Sequence, residues 1–244
     1  FEMASLLVVM TALLGILQGY RWQRILLALG QRVETAWAIN VSLLAFFFNQ
    51  VIPAMVGGEL ARIWQGKRVG VDVQALIIGA MLDRFIGLFT IAFMCAVGLP
   101  ALFQITDNTS VLMSDVVLVG LSAGGTGFIF SLKWLPPYFT RWRLFRGLVS
   151  LGSAAWRIAS QSRHLWSLFA LSVLSHSTQI ASIIYLANLL GIPLEIGHAL
   201  MLIPPILFVS MMPISISGWG VREGAMVVGL GLAGIPADSA LAIS

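Results

Sequence analysis

Two short segments of the sequence combine prolines, glycines and charged residues directly after strongly apolar runs. The first is centred on Pro53, and the second begins at Pro213. Their candidate ligand-binding residues are Asn49, Gly57, Gly58, Glu59 and Arg62 in the first segment, and Ser215, Ser217, Gly218, Arg222 and Glu223 in the second. Arginine can hold a phosphate through a planar fork of N–H donors, glycine lets a ligand approach the backbone, and serine adds a hydroxyl donor. Together these residue types predict recognition of an anionic, phosphate-bearing group.

Two more charged residues, Asp83 and Arg84, lie inside the apolar run of residues 73–102 and complete the candidate site. Glu59 and Arg62 are three positions apart, so they would share one face of a helix. Because an unpaired charge inside an apolar bundle is costly, we expect Glu59 or Arg62 to pair with a charge from another segment. The candidate partners are Asp83, Arg84, Arg222 and Glu223. A purely structural network of ion pairs is the alternative to ligand binding, and Asn49 also fits a structural role beside the helix break.

Other kinds of chemistry find little support in the sequence. Cys95 is the single cysteine, which excludes an intramolecular disulfide and a cysteine metal cluster. No histidine–carboxylate spacing fits a metal, no glycine-rich loop fits a nucleotide, and no nucleophile–base pair stands out. We therefore predict no catalytic residue, metal or cofactor, although the sequence leaves open whether the chain is part of an enzyme. His176 belongs to a polar stripe at helical spacing, for which a hydrogen-bonded interior role is favoured over ligand binding.

The composition identifies a membrane protein. Of the 244 residues, 59% are hydrophobic and 10% are charged, and the mean hydropathy is +0.95, whereas soluble domains carry about 25% charged residues. The formal net charge of +4 comes largely from connecting segments and gives no reason to expect nucleic acid as a partner. Since a spanning helix needs about 20 apolar residues, the chain has room for roughly six to eight membrane segments.

The distribution of lysine and arginine predicts how these segments are threaded. Basic residues follow the first apolar run, follow the first broken segment and fill the central connection, whereas residues 106–114 and 191–197 contain none. Because basic connections are usually cytoplasmic, residues 36–65 would enter and leave the membrane by the same face. We therefore predict a re-entrant hairpin that turns at residues 53–58, with a proline-kinked spanning helix as the alternative. This interpretation counts Arg21, Arg24 and Arg32 as connection residues.

The central connection has the spacing of an amphipathic helix. Its apolar side would carry Leu144, Leu148, Leu151, Ala155 and Ile158, and its other side Arg143, Arg146 and Arg157. With tryptophans at positions 134, 142 and 156, this pattern predicts a helix in the cytoplasmic headgroup layer. A solvated basic loop is the alternative.

The two broken segments belong to a longer repeated pattern. Glycine, glutamate and alanine recur at the same offsets in residues 26–38 and 187–199, and residues 70–77 resemble residues 234–242. Under the predicted threading the second copy starts on the opposite side of the membrane, so we predict an inverted-topology repeat, an arrangement typical of transporters. Repeat 1 would cover residues 1–102, a connecting part residues 103–164, and an incomplete repeat 2 residues 165–244. We expect one membrane domain, truncated at both ends.

These motifs resemble a known family. They are Asn49-x3-Pro53-x3-Gly57-Gly58-Glu59-x2-Arg62, then Asp83-Arg84, then Pro213-x4-Gly218-x-Gly220-x-Arg222-Glu223-Gly224. Together they are similar to the transmembrane, flippase-like family of lysylphosphatidylglycerol synthases from bacterial inner membranes, and the resemblance spans nearly the whole chain. In that family the full synthase joins this membrane domain to a soluble aminoacyltransferase domain, which many members lack. The membrane part is associated with moving aminoacylated phosphatidylglycerol between leaflets.

The resemblance implies a multi-pass protein of the bacterial inner membrane that translocates an anionic or aminoacylated phospholipid, or a related phosphate-bearing lipid. Two other classes stay open: the membrane module of an aminoacyl- or glycosyl-lipid transferase, and a transporter of small solutes or ions. The expected partners are the phospholipid substrate and the bilayer, with a homo-oligomer or a soluble transferase domain as further candidates. The expected fold is all-α, a polytopic helical bundle with two re-entrant broken-helix hairpins.

Overall fold

The structure is a computed structural model that describes residues 2–51, 57–105, 109–134, 143–211 and 220–244. These residues form ten α-helices and one short 3-10 helix, with no strand among them. The helices are α1 (Glu2–Ala28), α2 (Thr35–Val51), α3 (Gly57–Arg68), α4 (Val73–Ile105), α5 (Thr109–Ser131), α6 (Arg143–Ser160), α7 (Ser162–Leu189), α8 (Ile196–Met211), α9 (Val221–Gly231) and α10 (Ala237–Ile243), and the 3-10 turn Leu132–Trp134 follows α5. The predicted all-α membrane fold is confirmed.

Four helices of the described residues are long and apolar enough to cross a membrane. The candidate spans are Ser5–Ala28, Val73–Pro100, Asp115–Trp134 and Ser162–Leu189. Helices α2 and α8 are apolar but have only 17 and 16 residues. At about 1.5 Å per residue they measure roughly 25 Å, less than the roughly 30 Å of a hydrocarbon core. The described residues thus contain four helices of spanning length and two shorter apolar helices, and the six to eight membrane segments stay a prediction.

Both predicted helix breaks lie between a pair of short helices. Helices α2 and α3 flank residues 52–56, and α8 and α9 flank residues 212–219. The break residues themselves, including Pro53, Pro213, Ser215, Ser217 and Gly218, lie outside the described residues. Helices α2 and α3 pack on each other in antiparallel directions, since Asn49 contacts Gly58 while the earlier Ser42 contacts the later Arg62. A re-entrant path through the membrane stays a prediction.

The order of elements repeats along the chain. A long helix, a glycine turn, a short helix, a segment outside the described residues, a second short helix and another glycine turn occur in residues 2–72 and again in residues 162–236. The first glycine turns match closely, because Gly30 and Gly191 have φ of 85° and 69° and a backbone hydrogen bond of 2.9 Å closes each one. Gly70 and Gly234 make the second turns with φ of 83° and 75°. Positive φ at a helix C-terminus favours glycine, which explains this part of the sequence repeat; the inverted orientation stays a prediction.

Helix α4 is the element on which the two broken segments meet, and α3 lies along its first half. A methyl group added at Gly66 of α3 would collide with Leu76 near the start of α4. Further along α4, Asp83 pairs with Arg62 of α3. Residue numbers rise in α4 as they fall in α3, so the two helices are antiparallel. The beginning of α3, which follows the first break, therefore points toward the middle of α4.

Helix α8 lies along the second half of α4. A methyl group added at Gly98 would lie 3.8 Å from Cα of Met201, and one added at Gly87 would lie 3.7 Å from Cε of Met211. This pair is also antiparallel, and Met211 is the last residue of α8 before the second break. Gly87 is close to the midpoint of the candidate span Val73–Pro100. The helix ends beside both breaks thus reach the central part of α4.

Helix α6 forms as predicted, but its apolar face contacts protein. Leu151, Ala154 and Ile158 are buried in one cluster with Ile129 and Leu168 from α5 and α7. A methyl group added at Gly152 of α6 would lie 2.7–2.9 Å from atoms at the end of α5 and the 3-10 turn, so the backbones approach closely. The amphipathic pattern is therefore explained by packing against protein, and the position of α6 in the cytoplasmic headgroup layer stays a prediction.

Candidate functional site

Asp83 is the centre of a buried group of charged and polar side chains. Its Oδ1 accepts a hydrogen bond from Nε of Arg21 at 2.6 Å, and its Oδ2 accepts one from Nη1 of Arg62 at 3.2 Å. Arg21 also donates to the hydroxyl of Ser172 at 2.6 Å, and Arg62 donates to the hydroxyl of Ser42 at 3.2 Å. All five residues are buried, and each comes from a different helix among α1, α2, α3, α4 and α7. We call these five residues the Asp83 cluster.

The Asp83 cluster carries one more positive charge than negative charge. Two arginines share one carboxylate, and the side chains of the three ionised residues are only 6–8% exposed. An uncompensated charge near a membrane centre costs about 2.5–3.5 kcal/mol on insertion scales. The guanidinium of Arg62 lies 5.4 Å from the ring centroid of Trp22, and this cation–π contact reduces the cost without neutralising the charge.

Two hydrogen-bond donors beside this excess charge are unused. Nε of Arg62 and Nε1 of Trp22 are buried and have no hydrogen-bond partner in the described ranges. The same ranges contain no group of three histidine, cysteine, aspartate or glutamate side chains that could hold a metal ion. Positive charge and free N–H donors are the features that bind phosphate or carboxylate oxygens. The groups here that suit an anion are therefore arginine and tryptophan N–H donors.

A second ion pair lies at the same level of α4. Nη2 of Arg84 is 2.7 Å from Oε1 of Glu59, with the two side chains 34% and 21% exposed. The prediction that Glu59 or Arg62 pairs with a charge from another segment is confirmed twice, by the Glu59–Arg84 pair and the Arg62–Asp83 pair. The Glu59–Arg84 pair is neutral overall and partly accessible, so it contributes less to stability than the buried Asp83 cluster.

Asn49 and Gly58 fasten the start of α3 to α2. The amide N–H of Gly58 donates to Oδ1 of Asn49 at 2.7 Å. A methyl group at Gly58 would lie 2.8 Å from the carbonyl oxygen of Ala45, so glycine allows close packing there. The amide of Gly58 is therefore already occupied by Asn49 and is not free to bind a ligand. Gly57, its buried neighbour, begins the helix.

The candidate residues of the second segment are only partly described. Glu223 accepts a hydrogen bond at 2.6 Å from the amide of Gly220, whose φ is 82°, and so caps the start of α9. Arg222 is exposed and makes no hydrogen bond or ion pair with the described residues. Ser215, Ser217 and Gly218 lie outside the described residues. The structure thus brings together Glu59, Arg62, Asp83 and Arg84, and does not join Arg222 or Glu223 to them.

Sequence reasoning missed Arg21 as a member of the site. It was counted as a basic connection residue, yet it lies inside α1, which continues to Ala28, and it is 5% exposed. The sequence does contain an indication that Arg21 lies inside the helix. The apolar residues Ile25 and Leu26 follow it before the glycine turn at Gly30. Ser42 and Ser172 have no comparable signal, because single serines in apolar helices are common.

An apolar cavity of about 420 Å³ lies next to this region, between α4, α5, α6 and α7. Five of the side chains that line it are Phe85, Phe89, Phe93, Trp166 and Phe169. Phe169 packs edge-on against both Phe89 and Phe93, with centroid distances of 6.4 and 5.3 Å. Leu82, the neighbour of Asp83 in α4, also lines the cavity. The apolar cavity therefore lies against α4, the same helix that carries Asp83.

Comparison with known protein families gives one match, and it covers nearly the whole chain. The family model described as Lysylphosphatidylglycerol synthase TM region matches residues 2–244. The chain belongs to this family. No curated protein and no solved structure matched it. Membership of the lysylphosphatidylglycerol synthase TM family, together with four candidate spans, makes the chain a multi-pass membrane protein with a lipid-related function.

Proposed function

We propose that this domain moves a phosphate-bearing phospholipid, anionic or aminoacylated, between the leaflets of a bacterial inner membrane. The observation that carries the proposal is the excess positive charge of the Asp83 cluster, placed in the central part of a membrane span beside two helix breaks. A lipid phosphate would neutralise that charge and accept from Nε of Arg62. Paired broken helices near the midplane are the usual position of a transporter's binding site.

The apolar cavity supports a lipid over a small polar solute. An apolar cavity of about 150 Å³ takes up one benzene molecule, which has six carbons, so a volume near 420 Å³ has room for roughly 17 carbons. That is about the size of one phospholipid acyl chain. Its apolar lining would be covered by a chain from the surrounding bilayer, whereas a hydrated ion or sugar would find almost no polar partner there.

The proposed path uses the two broken helices as gates on either side of α4. The α2–α3 pair would be a re-entrant hairpin from the face at which α4 begins, and the α8–α9 pair would enter from the opposite face. A headgroup held by Arg62 would then be reached from one leaflet through the first break and from the other through the second. The membrane module of a lipid-modifying transferase remains the second candidate, because it needs the same headgroup site without transfer between leaflets.

A leaflet-resolved assay tests this proposal. The full chain is reconstituted into liposomes with acyl-labelled fluorescent phosphatidylglycerol, and dithionite then destroys the label in the outer leaflet only. We expect the protein to expose more label than protein-free liposomes do, and Arg62→Gln to reduce the rate. Arg146→Gln, an exposed residue of α6, is the matched control for loss of one arginine. Binding of the lipid without any transfer between leaflets would favour the transferase module.

A further inference from the structure

His176 is a buried polar residue that the proposed mechanism does not yet use. It lies on α7, one helical turn after Ser172 of the Asp83 cluster, and is 6% exposed. Neither of its ring nitrogens makes a hydrogen bond of full geometry in the part of the chain that the structure describes, although the side chain of Gln179 and the backbone of Gly87 lie near the ring. Buried polar side chains are normally paired, so an unpaired imidazole inside a membrane span needs a reason. A phenylalanine would fill nearly the same volume without the cost of desolvating two nitrogens.

The position of His176 joins the Asp83 cluster to the second broken segment. Gly87, one turn after Asp83 on α4, lies opposite the imidazole, and a methyl group added there would be 3.9 Å from Nε2. Met211, the last residue of α8 before the second break, contacts the same point at 3.7 Å. The side chain therefore lies on the route from the arginines toward the second break.

The hydrogen-bonding chemistry of imidazole differs from that of the arginines beside it. Arg21 and Arg62 can only donate, which suits the oxygens of a phosphate. A neutral imidazole has one donor and one acceptor nitrogen. The acceptor nitrogen cannot serve a phosphodiester, which has no proton to give. It suits a hydroxyl or ammonium group that lies a few bonds beyond the phosphate in a lipid headgroup.

We propose that His176 determines headgroup specificity by accepting a hydrogen bond from a hydroxyl or ammonium group of the lipid whose phosphate the Asp83 cluster holds. This inference rests on the proposed function. A headgroup that reaches the imidazole would displace the flexible end of Met211, because the point opposite Gly87 already lies 3.7 Å from Cε of Met211 and 3.9 Å from Nε2 of His176. Phospholipids with a donor in the headgroup would then be preferred over phospholipids of equal charge that have none.

The test compares three short-chain lipids as competitors of fluorescent phosphatidylglycerol for the full chain in detergent. Dihexanoyl phosphatidylglycerol offers hydroxyls, dihexanoyl phosphatidylethanolamine offers an ammonium group, and dihexanoyl phosphatidylmethanol offers the phosphate alone. Phosphatidylglycerol and phosphatidylmethanol have the same charge, so for the wild type we expect phosphatidylglycerol to compete about 2- to 13-fold better if His176 accepts a hydrogen bond from a hydroxyl, as one net hydrogen bond allows. Phosphatidylethanolamine has no net charge, so its competition is compared between the wild type and His176→Phe, and a loss of the same size in the variant shows that His176 accepts a hydrogen bond from the ammonium group.

Two variants decide whether His176 is responsible. His176→Phe should lower that preference to about 1 while leaving competition by phosphatidylmethanol and the thermal stability unchanged or raised. Gly87→Ala, whose methyl group meets only ordinary contacts, should weaken the preference because that methyl group would occupy the point between Met211 and the imidazole that the headgroup has to enter. His164→Phe, at the start of the same helix, is the control and should change neither quantity.

The other outcomes each contradict the inference. A His176→Phe protein that keeps its lipid preference places the specificity elsewhere, and one that unfolds at a lower temperature than His164→Phe shows that His176 is a structural, paired residue. Both results leave the proposed function standing if the wild type binds phosphatidylglycerol. A wild type that binds none of the three lipids removes the proposed function together with the inference.

Discussion

Replacing Asp83 by asparagine should destabilise the fold more than any other single loss of charge in the chain. The variant keeps the size of the side chain but removes the counter-ion of two arginines that are each nearly fully buried. Breaking a buried ion pair by removing one partner costs about 3–5 kcal/mol. Two hydrogen bonds to a charged group at about 1.5–3 kcal/mol each give a similar sum. The two estimates agree because both describe arginines left unpaired in an apolar interior.

The assay for Asp83→Asn is thermal unfolding in detergent, followed by loss of the monodisperse peak in size-exclusion chromatography. For a chain of this size, about 1 kcal/mol corresponds to about 2–4 °C, so we expect the midpoint to fall by about 6–20 °C. Asp238→Asn, which removes an exposed carboxylate from the first turn of α10, is the control and should lower the midpoint by only about 1–4 °C.

A compensated variant shows whether the loss comes from unpaired charge. Asp83→Asn combined with Arg62→Gln restores the net charge of the wild-type cluster, so it should recover part of the lost stability. If Asp83→Asn unfolds within the range of the Asp238→Asn control, the carboxylate does not hold the two arginines as the structure indicates. A double variant no more stable than Asp83→Asn would show that packing around Asp83, and not charge balance, dominates.

Three further changes separate the parts of the site. Gly58→Ala should lower the thermal midpoint, because its methyl group would lie 2.8 Å from a carbonyl oxygen of α2, whereas Gly124→Ala, with nothing within 4 Å, should not. Ala159→Phe should slow lipid transfer by filling the apolar cavity that Ala159 lines, while Ala123→Phe on the exposed side of α5 leaves the rate unchanged. Arg222→Lys should slow translocation while the abundance of the protein stays normal, because lysine keeps the charge but loses the planar fork of N–H donors. The expected loss in phosphate binding is about 1–2 kcal/mol. A normal rate at normal abundance excludes a phosphate role for Arg222.

The sequence predicted the features that depend on residues close together in the chain. Proline and glycine mark both helix breaks, and glycines with positive φ mark the turns at Gly30 and Gly191 that made the repeat visible. The pairing of Arg62 with Asp83 could be predicted because acids and bases in apolar helices have few other partners. These inferences need only the local chain and the cost of an unpaired charge.

The sequence was less informative where partners come from distant helices. Arg21 looked like a connection residue because lysine and arginine near the end of an apolar run usually are, and only the packing of α1 against α4 brings it to Asp83. Similarly, the apolar side of α6 has the same periodicity whether it faces lipid or the helices α5 and α7. Periodicity shows that one face is apolar but does not show what covers that face.

The Asp83 cluster contains one acid, although we propose that it binds an anion. The cost of burying two arginines explains why this acid is present. Without Asp83, two buried arginines would face each other across the bundle, and their repulsion and desolvation would oppose folding. With a second acid, the cluster would be neutral and would have no charge to attract a phosphate. One carboxylate between Arg21 and Arg62 keeps the cost of burial within what a membrane bundle tolerates and still leaves one positive charge. In a headgroup that carries both groups, the phosphate would be held by the arginines while a neighbouring acceptor such as His176 receives the ammonium group. On this proposal the same cluster binds anionic phospholipids through the phosphate alone and aminoacylated phospholipids through both contacts.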